Sequence, residues 1–262
     1  MSQIVVKLGL AMALGAMLPS CFGAEILTVR TAGPVTLNYN FGLDSQPNVQ
    51  PSLPVGQLAQ EAVDRGSVAV RGFHEPGDYA HRNYCGAGAT QVLLSAWLSK
   101  VPDIETVARQ SHLNPNRGEF GADAGAAINV FLSSIVNPAL GHSRYLAEHV
   151  VTLEGVKERI RRDILDADAN RLFGHGVPVM VQTMTKNMPG WNHWNATHMI
   201  TIFAFDFSHN NPALDTVTYA ETPSPLAGYR GPDFQTISVS ALWAAMQAYT
   251  VASPSDPMNV IS

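Results

Sequence analysis

Cysteine is nearly absent from this chain: its 262 residues carry two, Cys21 and Cys85. A network of disulfides of the kind that staples small secreted domains is therefore excluded. Paired metal ligands are missing as well, since neither CxxC nor HExxH occurs. His193 and His198 stand five apart in a loop, which matches no ligand spacing, so no metal is expected. Charge is scarce, at 14% of residues and a net of −5. A chain so lightly charged, and on balance acidic, is not built to hold nucleic acid or an anionic membrane surface. No GxGxxG or phosphate loop follows a strand and GxSxG is absent, which leaves dinucleotide and serine-hydrolase readings, and any cofactor, without support. Past the first two dozen residues no apolar run approaches the roughly 20 residues a membrane-spanning helix needs. There is no internal repeat and no low-complexity tract.

What the chain has instead is a hydrophobic fraction of 46%, enough for a sizeable core. Residues 1–24 read as a secretory signal: Lys7 is the only charge, residues 8–18 are apolar, and Ser20, Cys21 and Gly23 are small residues near a cut site. Two alternatives stand beside this. One is an uncleaved anchor; the other is a lipoprotein signal with the lipid on Cys21, which Pro19 fits poorly. With the signal removed after Gly23, the exported protein keeps one thiol, Cys85, with no partner for a disulfide, and such a thiol is to be flagged as reactive.

Residues 25–41 alternate around an Ala-Gly-Pro turn and suggest a hairpin; residues 42–54 form a proline-punctuated linker. A short helix and a strand are expected within 55–70, and a loop over 73–82. Three helices follow, over 85–98, 103–112 and 126–135, the last two separated by a polar, glycine-rich loop. A strand is read over 145–152. An amphipathic helix is read over 153–170, with Val156, Ile160, Ile164 and Leu165 inward and Lys157, Glu158, Arg161 and Arg162 on a solvated face. Strands over 177–183, 198–207 and 216–221 and a closing helix over 238–248 complete the pattern. Helices first and then an antiparallel sheet make an α+β arrangement. The expected divisions are a signal (1–24), an extension and linker (25–70), one folded domain (71–250) and a tail (251–262).

The stretch 83–100 organises the rest. Cys85 and Gly86 open a helix whose Val92, Leu93, Ala96 and Trp97 recur on one face. A cysteine in the first turn sits beside unpaired backbone N–H groups, and the positive end of the helix dipole favours a thiolate there. Gly86 leaves the approach to the sulfur open. The plain alternative is a small hydrophobe buried at a helix start. A thiol nucleophile needs a base and a group to orient it, and these can lie far downstream. His198 heads an apolar strand, and Glu221 closes the next one, where a carboxylate would stand beside the imidazole. Read alone, a histidine at a strand start is most often a polar edge residue, and a glutamate before Thr-Pro is usually a solvated strand end. His193 is the competing base, within a tryptophan-rich loop. Trp191 and Trp194 either line a substrate cleft or serve in core packing or in anchoring that loop.

In this order the parts resemble the papain-like cysteine peptidases, and within them the bacteriocin-processing family that cleaves after double-glycine leaders, with its stand-alone relatives. The motifs are Cys85-Gly opening a helix, Gly176-Val-Pro-Val opening a strand, His198-MITIFAFD, and Glu221-Thr-Pro, over residues 72–246. The resemblance implies a papain-like fold, with an N-terminal helical half packed on a C-terminal antiparallel sheet. It implies a triad of Cys85, His198 and Glu221 and hydrolysis of peptide or related amide bonds through a thioester. Three departures mark this chain. Cys-Gly-Ala replaces the family's Cys-Gly-Pro, and the orienting acid is glutamate where aspartate or asparagine is usual. The family's oxyanion glutamine, shortly before the cysteine, is replaced by Tyr79. Asn83, Tyr79 and His81 are the substitutes in view; loss of such a donor typically lowers the rate roughly 10²–10³-fold. A non-catalytic peptide-binding module on the same fold, and an acyl transferase, are the alternatives.

Overall fold

Elements and their order. The computed structural model describes residues 64–141, 143–192 and 194–262, all within one compact unit. The signal, the hairpin, the linker and most of the first short helix lie outside the described residues. The helices are α1 (Cys85–Leu94), α2 (Ile104–Gln110), α3 (Gly121–Leu132), α4 (Val136–Leu140), α5 (Leu153–Ile164), α6 (Ala167–Phe173) and α7 (Val239–Ala252). The strands are β1 (Arg65–Ser67), β2 (Ala147–Glu148), β3 (Val179–Met184), β4 (Thr197–Asp206), β5 (Thr216–Ala220), β6 (Phe234–Ser238) and β7 (Val260–Ile261). All described pairings are antiparallel, in the order β2-β7-β3-β4-β5-β6. The class is α+β.

The central strand is β4. Its 197–202 half pairs with β3 and its 204–206 end pairs with β1, while β5 runs along the opposite edge. A register shift between Ile202 and Ala204 bends the β4–β5 ladder. Both faces of the sheet are covered. On one, Leu93 and Leu94 of α1, Val107 of α2 and Ile128 and Leu132 of α3 pack with Met180, Met199 and Ile261. On the other, Val156, Ile160 and Ile164 of α5 and Leu242, Ala245 and Met246 of α7 pack with Val179, Val181, Ile200 and Ile202. A strand buried on both faces has no polar side to alternate, and β3 is buried at every position.

Several boundaries move from their expected places. The supposed tail, 251–262, returns into the sheet: Val260 and Ile261 form β7 between β2 and β3 and are fully buried. The domain likewise extends before residue 71, because β1 pairs with the end of β4. The strand expected over 145–152 is only the two residues of β2. α3 begins at Gly121, within the expected loop, because Asp256 accepts the Gly121 N–H at 3.1 Å and caps the helix from 135 positions away. The helix expected over 153–170 is broken at Leu165–Asp166, where the Asp166 carboxylate caps α6 through the Ala169 N–H at 2.7 Å. β6 carried too little apolar alternation to be foreseen.

The charged face of α5 is also not plainly solvated. Lys157 is 6% exposed and its Nζ lies 2.8 Å from Asp215, which is fully buried. Asp163, fully buried as well, takes guanidinium donors from Arg144 and Arg162, and Arg161 reaches Asp64 at 3.0 Å. Paired charge of this kind is costly to break from one side.

Gly176 in Gly-Val-Pro-Val has a steric reason. A Cβ there would overlap the Ile164 carbonyl, where the end of α5 turns against the start of β3 and Val177 N–H donates to Asp163 O at 2.8 Å. The obstacle is backbone and cannot swing aside. Gly176→Ala is therefore expected to destabilise the fold by about 4 kcal/mol or more, read as a lowered midpoint in denaturant with an unchanged slope.

Candidate active site

α1 carries Cys85 as its first residue. Its N-cap, Tyr84, makes no side-chain cap, so the first-turn N–H groups are not closed off by a capping side chain. Two contacts seat the helix on the sheet. Thr201 Oγ1 of β4 donates to the Ala89 carbonyl at 2.7 Å. Gly88 lies so close to the segment after β5 that an added Cβ would come within 2.8 Å of Thr222 Oγ1. Gly86 has a different role from the one expected. A Cβ there would overlap the Glu119 carboxyl, so the glycine makes room for that side chain. Burial pushes the Glu119 carboxyl up to about 8, opposed by the donated Ser111 hydroxyl.

His198 is the second residue of β4, paired across the ladder with Thr183 of β3. It is 3% exposed. Glu221 follows β5 directly, its N–H donated to the Asp233 carbonyl at 2.8 Å, and is fully buried. Two strand ends side by side thus bring the imidazole and the carboxylate together: His198 Nε2 is 2.7 Å from Glu221 Oε2. The other carboxylate oxygen accepts Trp191 Nε1 at 3.0 Å. Cys85 acts on the same ring, helping to raise its pKa. With Nε2 engaged by Glu221, Nδ1 is the nitrogen left for the sulfur. Burial alone would depress the imidazole, but the Glu221 carboxylate and Cys85 overcome it and hold its pKa well above the ordinary histidine value.

Cys85 and His198 open into one cavity of about 360 Å³. Its walls include Glu75, Tyr79, Asn83, Trp191 and Trp194. Of the two tryptophans named from sequence, Trp194 is 56% exposed at the rim, whereas Trp191 is 4% exposed. Trp191 packs edge-on against His198, centroids 4.7 Å apart, so it holds the Glu221–His198 pair more than it offers a surface. His193 lies outside the described residues.

The three oxyanion substitutes separate. His81 does not face the cavity; its two ring nitrogens are taken by Asp78 and Glu105. Tyr79 lines the cavity at 72% exposure, stacked with the Arg82 guanidinium 3.9 Å from its ring centre. Asn83 lines it too, with its amide donated to the Pro115 carbonyl at 2.7 Å. Sequence reasoning missed Glu75, a buried carboxyl on the cavity wall in a loop without any periodic pattern. Among the described residues no cluster of His, Cys, Asp and Glu is arranged to hold a metal, and no helix is long and apolar enough to cross a membrane. Neither a protein-family model nor a curated protein matches the chain.

Proposed function

We propose that this chain is an exported cysteine hydrolase of peptide or related amide bonds, on a papain-like arrangement of helices and sheet. The observation that carries the reading is the position of His198, which lines one cavity with Cys85 and lies 2.7 Å from the buried Glu221. A nucleophile, a base and a group that orients the base are the parts of acyl transfer through a covalent intermediate. The Cys85 sulfur, its proton held by His198, attacks the amide carbonyl carbon. The carbonyl π pair moves to oxygen, toward the backbone N–H of Cys85 at the head of α1. Collapse expels the amine with the proton from His198 and leaves a thioester, which water hydrolyses with His198 now accepting the water's proton. Glu221 keeps the ring in the orientation and tautomer both steps need. Trp194 and Tyr79 at the rim offer apolar surface to a peptide chain. The signal-like residues 1–24 supply the exported location.

The test is a screen of the purified protein against a diverse peptide library, read by mass spectrometry beside Cys85→Ala. The reading expects cleavage by the wild type only, with a covalent adduct on Cys85 in the presence of slow acyl donors. A wild type and variant that are equally inert yet retain the same peptide would mark a binding module.

A further inference from the structure

The family resembled by this chain completes its oxyanion site with a glutamine amide, and this chain has no glutamine there. Tyr79 stands in that place, and an acid of glutamine's length lies four residues earlier on the wall of the same cavity. Glu75 lies in the loop before α1, ten positions ahead of Cys85. It is 5% exposed and lines the same cavity as Cys85 and His198. Two bonds fix the loop from outside. The Glu75 N–H donates to the Thr222 carbonyl at 3.3 Å, directly after Glu221, and Ser224 Oγ donates to the Pro76 carbonyl at 3.1 Å. The loop backbone is thus tied to the segment that follows β5 and Glu221. In the mechanism above Glu75 has no part, and a buried acid without one needs a reason.

We propose that Glu75 is a catalytic residue that donates its carboxyl O–H to the substrate oxyanion, doing as a neutral acid what a glutamine amide does. This rests on the hydrolase reading of Cys85 and His198. As the sulfur–carbon bond forms and the carbonyl π pair passes to oxygen, that oxygen accepts two hydrogen bonds, from the Cys85 N–H and the Glu75 O–H. No proton need be transferred, and the donor is restored when the carbonyl reforms. Only the protonated acid can donate, since a carboxylate is acceptor-only and would repel the oxyanion. Burial pushes this carboxyl up to about 8, with His198 opposing and Glu221 assisting. The other charged or titratable groups around it are Cys85 on α1 and Tyr79, Arg82 and Arg117 on the cavity wall.

The test separates oxyanion formation from thiol reactivity. Acylation of Cys85 by p-nitrophenyl acetate passes through an oxyanion, and its leaving group departs as an anion with no need of a proton from His198. Alkylation by iodoacetamide forms no oxyanion. The proposal expects acylation by the wild type to fall above pH 8 relative to alkylation. Glu75→Gln should keep acylation within about tenfold at pH 7 and lose that alkaline fall. Glu75→Ala should lower acylation roughly 10²–10³-fold with alkylation changed no more than a few-fold. A Glu75→Gln profile that retains the alkaline fall overturns the proposal, and this variant decides the matter even if Glu75→Ala does not fold. So does a Glu75→Ala protein that acylates like the wild type. A wild-type Cys85 inert to both reagents overturns the hydrolase reading itself.

Discussion

His198→Gln is expected to lower the rate of Cys85 acylation by p-nitrophenyl acetate about 10⁴-fold or more, with the fold intact. Glutamine is chosen over alanine for a physical reason. Glu221 is fully buried, and its two described side-chain partners are His198 and Trp191. An alanine at 198 would leave that carboxylate with one donor, and breaking a buried pair from one side is strongly destabilising. A glutamine amide can still donate to Glu221 but cannot accept the thiol proton. The loss then reports chemistry, and a thermal unfolding midpoint near that of the wild type checks that it does. A variant that acylates within tenfold of wild type would show that the imidazole is not the base.

The second large effect is expected from Glu221→Gln, and the direction follows from hydrogen-bond polarity. Trp191 Nε1 donates only, so the amide oxygen of the new residue must stay on that side, where the carboxylate now accepts at 3.0 Å. The amide NH₂ then faces His198 Nε2, which must become an acceptor. That moves the ring proton to Nδ1, the nitrogen left for Cys85, and the base points a filled position at the thiol. Removing the negative charge also lets the imidazole pKa fall from its raised value. Acylation should drop about 10³–10⁴-fold, in line with the loss for a wrong tautomer at such a site. The double variant Glu221→Gln with Trp191→Phe tests the argument. Without the indole donor the amide is free to turn its oxygen to Nε2–H, and part of the lost rate should return. A double variant as slow as or slower than the single one would contradict the tautomer account. The imidazole titration, followed by proton NMR, should fall toward ordinary histidine in the single variant.

The residues brought together in the cavity were legible where their signal was local. Cys85 heads a helix, His198 heads an apolar strand and Glu221 ends one; each pattern is visible within a few residues. That His198 and Glu221 meet follows from two adjacent antiparallel strands. The other partners had no local signal. Glu75 sits in a loop that no period describes, held there by Thr222, 147 positions on. Gly86 reads as an opening to the sulfur, and the space its missing Cβ leaves is taken by Glu119, which approaches from another segment. For Trp191 the sequence leaves cleft lining and core packing open, and its bond to Glu221 from a distant segment decides for packing.

The same distinction separates the fold's readable and unreadable parts. β3 and β4 are mostly apolar on both of their sides, because both faces of the sheet are covered. β2 and β7 are two residues each, too short to carry a period, and they exist because β7 pairs with β2 on one side and with β3 on the other. Lys157 looked solvated on the wheel of α5; its burial comes from Asp215, 58 positions downstream. Amphipathic spacing tells which face of a helix turns inward, but not which charge will meet a counter-charge from elsewhere in the chain.

The central claim is that Cys85 is a reactive thiol coupled to His198, and the most direct measurement is its alkylation in the folded protein. Wild type and His198→Gln would be treated with iodoacetamide at pH 7, with modification followed on the Cys85 peptide by mass spectrometry. The account predicts that wild-type Cys85 reacts faster than the same thiol in urea-unfolded protein, and that His198→Gln removes this advantage. A Cys85 that stays unmodified until the protein unfolds, or that reacts equally with and without His198, would contradict it.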